Sequence, residues 1–287
     1  MNKTITVTGG DSRQLYMSGY LYEKGYDVKI FACEHGKKPA GVKDCNSIDE
    51  AMASEIIILP LPVSKNGNTL NTPLSSKEIK LKEITDRINE SHFVFYGMGS
   101  TGFSKNVQAK AFYSCDYFNI ESLIYKNAML TSEGIISIVL DKLPLTVFGL
   151  KAAVTGYGRI AAFTAEKLKK LGAQVTVFAR DEMQLLRASL SGVSSFDLSA
   201  LNDMADKFDV IINTVPSQII GKKAIEKSKA SCVFIETASS PYGIDSDACA
   251  LYDRALIKAF SLPGKTAPKS AGIIIGETID KQLREVK

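Results

Sequence analysis

The sequence is short of histidine, and its cysteines follow no recognisable pattern. The only two histidines are His35 and His92, both in the first half of the chain. The cysteines are odd in number, scattered and without a C-x-x-C pair: Cys33, Cys45, Cys115, Cys232 and Cys249. This spacing supports neither a metal site nor a disulfide framework, and it favours reduced thiols in a cytoplasm.

Strong charge and long apolar runs are lacking as well. The formal net charge is only +4, and no lysine and arginine cluster is interleaved with aromatic residues, so a nucleic-acid partner is not indicated. Met1, Asn2 and Lys3 lead straight into a strand without the apolar core of a signal peptide, and no apolar run approaches the length of a membrane span. We expect a cytoplasmic protein without a membrane segment.

The composition and the element pattern are those of an α/β protein. Hydrophobic residues make up 45% of the 287 residues and charged residues 23%, as in a globular protein large enough for two domains. Short apolar strands alternate with helical segments, which predicts two doubly wound, Rossmann-like α/β domains. We place the first domain at residues 1–124 and the second at 125–287.

The clearest motif is GYGRIA at residues 156–161, which fits the dinucleotide-binding pattern G-x-G-x-x-A. It follows an apolar strand at 152–155 and opens a helix that stops at Gly172. Gly156 permits the tight turn, and Gly158 lets a pyrophosphate approach the N–H groups of the helix N-terminus. This turn and the end of a later strand supply the predicted cofactor contacts: Gly156, Gly158, Arg159, Ile160, Thr214, Val215 and Pro216.

The strand after this helix bears on the choice of dinucleotide. NAD sites usually present Asp or Glu at its end for the ribose hydroxyls, whereas this strand ends in Phe178, Ala179 and Arg180. The guanidinium of Arg180 matches the oxygens of a 2′-phosphate, which favours NADP over NAD. Asp181 follows directly and is suited to the ribose, so NAD stays open.

The first domain repeats the strand–turn–helix pattern without spaced glycines. A strand at 4–8 runs into the turn GGDSRQL, which places Asp11, Ser12 and Arg13 at the carboxyl end of the strand. This turn is either a capped turn of an ordinary α/β domain or a ligand site, because open α/β sheets bind ligands at that edge. Further strands at 27–31, 55–59, 93–96 and 116–118 and a helix near 76–89 bring this sheet to five strands.

Two further helices are predicted around the second domain. A linking helix over about 131–142 has Thr131 or Ser132 as its cap and Glu133 in its first turn, where the helix dipole favours an acid. Its N-terminus is either an anion site or a simple capped start. A last helix over about 272–284 is expected to pack back on the first domain.

Seven segments together resemble a known family. They read GGDSRQL, ILPLPVS, NAMLTSEGII, GYGRIA, INTVPS, ETASSPYGID and LPGKTAPKSAG, and they extend over essentially the whole chain. The combination is similar to the A subunit of dipicolinate synthase from spore-forming bacteria, and the first and last segments are not shared by generic Rossmann proteins. A more distant kinship is to two-domain 2-hydroxyacid dehydrogenases, whose active site lies in the cleft between the domains.

The resemblance implies an NADP-linked oxidation of dihydrodipicolinate to pyridine-2,6-dicarboxylate during sporulation. The substrate is either dihydrodipicolinate itself or is reached from 4-hydroxytetrahydrodipicolinate by loss of water. The resemblance also implies a flavoprotein-like partner, the B subunit of the synthase, and the mother-cell cytoplasm. A homo-oligomer stays open, because the sequence does not reveal the oligomeric state. The second half of the chain has no histidine, which an alcohol-oxidising mechanism would need as a base.

The resemblance and the positions at strand ends or a helix start give candidate roles for six residues. Arg13, Ser132, Lys269 and Ser270 are expected to hold the substrate carboxylates. Glu133 and Tyr125 are the candidates for the proton step. Two other functions stay open: an oxidoreductase acting on another 2-hydroxy acid, and a nucleotide-binding regulatory subunit whose chemistry is completed by its partner.

Overall fold

A computed structural model gives the fold of residues 3–286. The strands are β1 (Thr4–Thr8), β2 (Asp27–Phe31), β3 (Lys43–Asp44), β4 (Ile56–Ile58), β5 (Phe93–Tyr96), β6 (Tyr113–Asp116), β7 (Lys151–Thr155), β8 (Gln174–Ala179), β9 (Ser194–Asp197), β10 (Val210–Asn213), β11 (Val233–Glu236) and β12 (Ala255–Lys258). The helices are α1 (Ser12–Glu23), α2 (Ile48–Ala51), α3 (Leu81–Thr85), α4 (Thr101–Lys110), α5 (Glu121–Lys142), α6 (Arg159–Lys170), α7 (Glu182–Leu190), α8 (Leu201–Met204), α9 (Lys222–Lys227), α10 (Ser246–Leu251), α11 (Leu262–Thr266) and α12 (Pro268–Glu285). Short 3₁₀ helices lie at Tyr117–Asn119, Leu198–Ala200 and Ala205–Lys207.

The chain divides into two compact units, each with one sheet. The first unit contains the described residues up to Asn127 together with those from Gly264 onward, and the second contains Ala128–Pro263. The first unit thus extends slightly beyond residue 124, where the sequence places the domain boundary, and it also contains the described residues from Gly264 onward, which the sequence places in the second domain.

The first unit has a six-stranded parallel sheet in the order β3-β2-β1-β4-β5-β6. Parallel sheets are covered by helices on both faces, so their strands are apolar throughout. In β4, Ile56 and Ile58 pack into one core cluster while Ile57 packs into the other, because successive side chains point to opposite faces. The strand order reverses between β1 and β4, and this edge is where such sheets bind ligands.

The second unit repeats this topology with the order β12-β11-β10-β7-β8-β9. Val154 and Ile212 face one core cluster, and Ala153 and Ile211 face the other. The strand order reverses between β7 and β10. The predicted fold class, α/β with two doubly wound Rossmann-like sheets, is confirmed.

The C-terminal helix α12 packs against α1 within the first unit. A Cβ atom on Gly272 would lie 2.3 Å from the carbonyl oxygen of Arg13, so only glycine permits this close approach. Ile275 and Ile279 join the core cluster of the first sheet. The helix begins at Pro268, four residues before the predicted start at 272, which suits proline at the first helical position.

The largest departure from the predicted elements is in α5, which begins at Glu121 rather than near residue 131. Thr131 and Ser132 therefore lie inside the helix and do not cap it, and Glu133 is not in its first turn. The hydroxyl of Ser132 donates to the carbonyl oxygen of Met129 at 2.6 Å. A serine bonded in this way is accommodated inside a helix, so the cap-like sequence did not mark a helix start.

Smaller departures concern the first sheet, which has six strands rather than five. The two-residue strand β3 was not predicted. Helix α3 is much shorter than the predicted 76–89, because Lys80 forms an antiparallel bridge with Thr69. Strand β6 ends at Asp116 instead of continuing to 118, because the Asp116 carboxylate accepts a hydrogen bond from Phe118 N–H and starts a 3₁₀ helix.

Among the described helices, α5 is long and apolar enough to cross a membrane by length and composition alone. An 18-residue window of it has a mean hydropathy of 1.2, which corrects the expectation that no apolar run approaches this length. However, 44% of that window is buried inside the protein. The core helix of a water-soluble protein has the same properties, so α5 is weak evidence for a membrane span.

Candidate functional site

The glycine turn after β7 has the geometry of a dinucleotide site. Gly156 has a φ of +76°, a conformation that favours glycine, and its N–H donates to the carbonyl oxygen of Phe178 at 2.8 Å. A Cβ atom on Gly156 would lie 2.8 Å from Cγ2 of Val215. The turn after β7 and the loop after β10 therefore touch at the point where the strand order reverses.

The N-terminus of α6 is open to a ligand. Gly158 is its N-cap, no side chain of the described residues caps it, and nothing lies within 4 Å of the place of a Cβ atom on Gly158. The first N–H groups of a helix lack partners within the helix and carry a partial positive charge. This end of α6 is thus suited to a pyrophosphate, and the predicted contacts of Arg159 and Ile160 fall in its first turn.

The corresponding helix of the first unit is closed by its own side chains. The Asp11 carboxylate accepts from Arg13 N–H at 3.0 Å, and the Gln14 side chain accepts from Asp11 N–H at 3.0 Å, which together form a capping box. A carboxylate already occupies the place where a phosphate would bind. The two units share a strand order, but only the second presents an uncapped helix at this position.

A buried polar network joins the ends of β7, β10 and β11. The Thr155 hydroxyl donates to Oδ1 of Asn213 at 2.6 Å, and Nδ2 of Asn213 donates to Oε1 of Glu236 at 2.7 Å. Thr214 donates through its hydroxyl to the carbonyl oxygen of Thr155 at 2.8 Å. We did not anticipate Asn213 and Glu236 from the sequence, although a glutamate at the end of the apolar strand CVFIE was a visible signal.

Arg180 follows the last residue of β8 and is exposed. Asp181 is engaged elsewhere, because its carboxylate caps α7 by accepting from Gln184 N–H at 2.8 Å. The Gln184 side chain accepts in turn from Tyr157 N–H at 2.6 Å, which ties α7 to the fingerprint turn. Hydrogen bonds from Ser199 and the charge of Arg180 hold the pKa of Asp197 below its usual range.

In the first unit, Arg13 lies at the point where the strand order reverses. Its Nε and Nη2 atoms donate to the two carboxylate oxygens of Asp11, each at 2.9 Å, and Nη2 also donates to the carbonyl oxygen of Leu61 at 2.6 Å. A Cβ atom on Gly264 would lie 3.1 Å from Nε of Arg13. The GGDSR turn, the ILPLP loop and Gly264 therefore meet around one guanidinium group.

The other predicted substrate residues of this unit are more exposed. Lys269 lines a cavity of about 620 Å³ together with Ser12, Tyr16 and Lys37. Ser270 is exposed in the first turn of α12. Arg13 is only 6% exposed and points toward Leu61, so the structure does not place its guanidinium in the cavity that Lys269 lines.

The remaining predicted residues lie along α5. Ser132 is fully buried and bonded to its own helix, so its hydroxyl does not face a ligand in this structure. Glu133 is exposed, and its Oε1 lies 3.4 Å from Nζ of Lys167. Tyr125 is 54% exposed in the second turn of the helix. The roles of Glu133 and Tyr125 in the proton step stay predictions.

The buried thiols are poorly suited to act as nucleophiles. All five cysteines are free. Burial raises the pKa of Cys33 and that of Cys232 to about 12, and it raises the pKa of Cys249 to about 11. Such thiols stay protonated at neutral pH, where only the thiolate is reactive. Within residues 3–286, no group of three or more His, Cys, Asp or Glu side chains is placed to hold a metal ion.

Comparisons with known proteins cover both units. Residues 4–118 match the family model of the N-terminal domain of the dipicolinate synthase A subunit, and residues 131–259 match that of the S-adenosyl-L-homocysteine hydrolase NAD binding domain. The A subunit of dipicolinate synthase from Bacillus subtilis (strain 168) is 30% identical over 289 residues, which cover 99% of this chain and 96% of that protein.

Solved structures give a consistent result. The A subunit of dipicolinate synthase from Bacillus halodurans superposes with a TM-score of 0.87 at 26% identity, covering 98% of this chain and 97% of that one. The Bacillus subtilis protein gives 0.85 at 28% identity, with coverage of 99% and 97%. A transhydrogenase from Sinorhizobium meliloti, at 0.71 and 12% identity over 98% of this chain and 93% of that one, shares the fold alone.

Proposed function

This chain belongs to the family of dipicolinate synthase A subunits, and on that premise we propose that it is an NADP-linked oxidoreductase that forms pyridine-2,6-dicarboxylate. The family predicted from the sequence motifs is confirmed. The observation that carries the proposal is the uncapped N-terminus of α6 at Gly158, beside the point where the second sheet reverses its strand order. The match to an NAD binding domain supports a nicotinamide dinucleotide at this place.

The proposed reaction balances as a two-electron oxidation. Dihydrodipicolinate loses one hydride and one proton and becomes the aromatic dicarboxylate, and a bound oxidised nicotinamide supplies the hydride acceptor. Where 4-hydroxytetrahydrodipicolinate is the starting compound, loss of water precedes this step. Because aromatisation supplies driving force, the protein has mainly to position the substrate, pair its two carboxylates and accept one proton.

For the substrate carboxylates we propose Arg13, Lys269 and Ser270, all of the first unit. Lys269 and Ser270 are exposed at the start of α12. Two nitrogens of Arg13 are bound to Asp11 and Leu61, which leaves Nη1 without a partner among the described residues. Ser132 is not part of this proposal, because its hydroxyl is fully buried inside α5. Lys269→Ala is expected to raise KM for the dicarboxylate with little change in affinity for NADP.

For the proton step, the candidates are Glu133 and Tyr125. Glu133 is exposed, with its Oε1 3.4 Å from Nζ of Lys167, and carboxylates and tyrosines are among the side chains that transfer protons in enzymes. Glu133→Gln and Tyr125→Phe distinguish the two residues. Replacing the true base lowers kcat by about 10²- to 10⁴-fold, whereas replacing the other leaves kcat near the wild-type value. Wild-type turnover in both variants would exclude both residues.

We further propose that the chain acts with the flavoprotein-like B subunit in the mother-cell cytoplasm of a sporulating bacterium. The name of the Bacillus subtilis relative, which designates one subunit of a synthase, supports a partner. The test supplies the purified chain with NADP and enzymatically generated 4-hydroxytetrahydrodipicolinate, with and without the B subunit. Pyridine dicarboxylate formed by this chain alone assigns the oxidation here.

The other outcomes of this assay separate the alternatives. Product that forms only when the B subunit is present means that the site is completed or activated in the complex. No product in either mixture contradicts the proposal. In that case a screen of 2-hydroxy acids tests the dehydrogenase alternative, and cofactor binding without any turnover points to a regulatory role.

A further inference from the structure

The second unit contains a buried carboxylate with no cationic partner. Glu236, at the end of β11, is 2% exposed, and none of the salt bridges found among the described residues involves it. Burying an unpaired carboxylate is costly unless hydrogen bonds replace its water. A buried carboxyl group at this edge of the sheet therefore needs hydrogen-bond donors around it.

Four donors satisfy this carboxylate. Oε1 accepts from Nδ2 of Asn213 at 2.7 Å and from Ala238 N–H at 2.8 Å. Oε2 accepts from Gly243 N–H at 2.7 Å and from Ile244 N–H at 2.9 Å. One side chain thus binds both ends of the loop at 237–244 and attaches that loop to the end of β10.

The same network fixes the loop after β10. Asn213 accepts at Oδ1 from Val215 N–H at 3.1 Å and donates from Nδ2 to the carbonyl oxygen of Val215 at 3.0 Å. A Cβ atom on Gly243 would lie 2.2 Å from Nδ2 of Asn213, and a Cβ atom on Gly156 would lie 2.8 Å from Cγ2 of Val215. Val215 is therefore packed between the fingerprint turn and the loop that Glu236 holds.

The loop contains a residue in an unfavourable backbone conformation. Tyr242 has a φ of +64°, and its ring stacks on Phe260 with the centroids 5.1 Å apart. A bulky residue adopts this conformation only where its surroundings impose it, and such residues cluster at ligand sites. The hydrogen bonds of Glu236 to Gly243 and Ile244 hold the backbone directly after Tyr242.

We propose that Glu236 is a positioning residue for the nicotinamide half of the cofactor. Through Asn213 it sets the loop at 214–217, and through three N–H groups it sets the loop at 237–244, both at the edge where the second sheet binds its ligand. This inference rests on the proposed binding of NADP, but not on the identity of the substrate. The adenosine half, beside Gly158 and Arg180, does not depend on this network.

The test compares the binding of NADP with that of adenosine 2′,5′-bisphosphate, which lacks the nicotinamide half. In Glu236→Gln the amide nitrogen cannot accept, so one pair of donors loses its acceptor. We expect the affinity for NADP to fall by about tenfold, with the affinity for the bisphosphate essentially unchanged. Glu226→Gln, an exposed glutamate on α9 of the same unit, is the control and should leave both affinities unchanged.

A second variant tests the same network in case the first variant does not fold. Gly243→Ala retains the Glu236 side chain but displaces Asn213, so it should produce the same selective loss of affinity for NADP. The inference is wrong if either folded variant loses affinity for both ligands in parallel, or if both variants bind NADP as the wild type does. Wild-type protein that binds neither NADP nor NAD would instead refute the proposed function, and this inference with it.

Discussion

The guanidinium of Arg13 binds both carboxylate oxygens of Asp11, with Nε–Oδ1 and Nη2–Oδ2 distances of 2.9 Å. Because Nη2 also donates to the carbonyl oxygen of Leu61, this pair connects the turn after β1 to the loop after β4. The Asp11 carboxylate also caps α1. Arg13 therefore supports the structure of this site, in addition to its proposed contact with the substrate.

We predict that Arg13→Ala lowers the free energy of unfolding by about 1.5–3 kcal/mol, because it removes charged hydrogen bonds from a nearly buried group. Urea denaturation measures this loss. Arg87→Ala is the matched control, since Arg87 pairs with Asp49 on the surface of the same unit, and exposed pairs contribute about 0–1 kcal/mol. Equal losses in the two variants would show that the Arg13 pair contributes no more to stability than an exposed ion pair does.

Arg180 is predicted to select the phosphorylated cofactor. Arg180→Ala should weaken NADP binding by about tenfold or more, the value of one hydrogen-bonded contact to a charged group, and should leave NAD binding unchanged. Arg187→Ala, an exposed arginine on α7, serves as the control. Tighter binding of NAD than of NADP by the wild type, unaffected by Arg180→Ala, would reverse this assignment.

The strand, turn and helix around the glycine motif could be predicted because their signals are local. The turn of Gly156 and Gly158 lies between an apolar strand and an amphipathic helix, and the structure has all three elements at these places. The alternation of strands and helices also predicted the fold class. Local patterns of this kind depend on a few neighbouring residues and not on distant contacts.

The parts that could not be predicted depend on tertiary contacts. Thr131 and Ser132 resemble a helix cap in the sequence, but the hydroxyl of Ser132 bonds within a helix that had begun at Glu121. Glu236 acts through loop residues that follow it and through Asn213, a residue of another strand. Such a network becomes visible only when the strand order is known.

Because two thiols are buried, we predict that the protein loses stability at alkaline pH. Burial raises the pKa of Cys33 and that of Cys232 from 9.0 to about 12. Between these values the unfolded chain releases protons that the folded chain retains, so the free energy of unfolding falls as pH rises. The contribution of each thiol is complete below pH 9 and is lost progressively as pH rises to about 12.

In this pH window, each of these thiols should lower the free energy of unfolding by about 1.4 kcal/mol per pH unit. The double variant Cys33→Ala with Cys232→Ala should therefore lose stability less steeply than the wild type between about pH 9.5 and 11. Denaturation curves at several pH values measure the two slopes. The comparison uses slopes because the cavities left by alanine lower the stability at every pH. Identical slopes would contradict the inferred ionisation.

The most direct test of the account is calorimetric titration of NADP into the wild type and into Gly158→Asp. An aspartate at this N-cap would close α6 as Asp11 closes α1, so the helix should stay folded while its N-terminus rejects a phosphate. We predict one NADP per wild-type chain and no measurable binding to the variant. Undiminished binding by folded Gly158→Asp protein would show that the N-terminus of α6 is not the cofactor site.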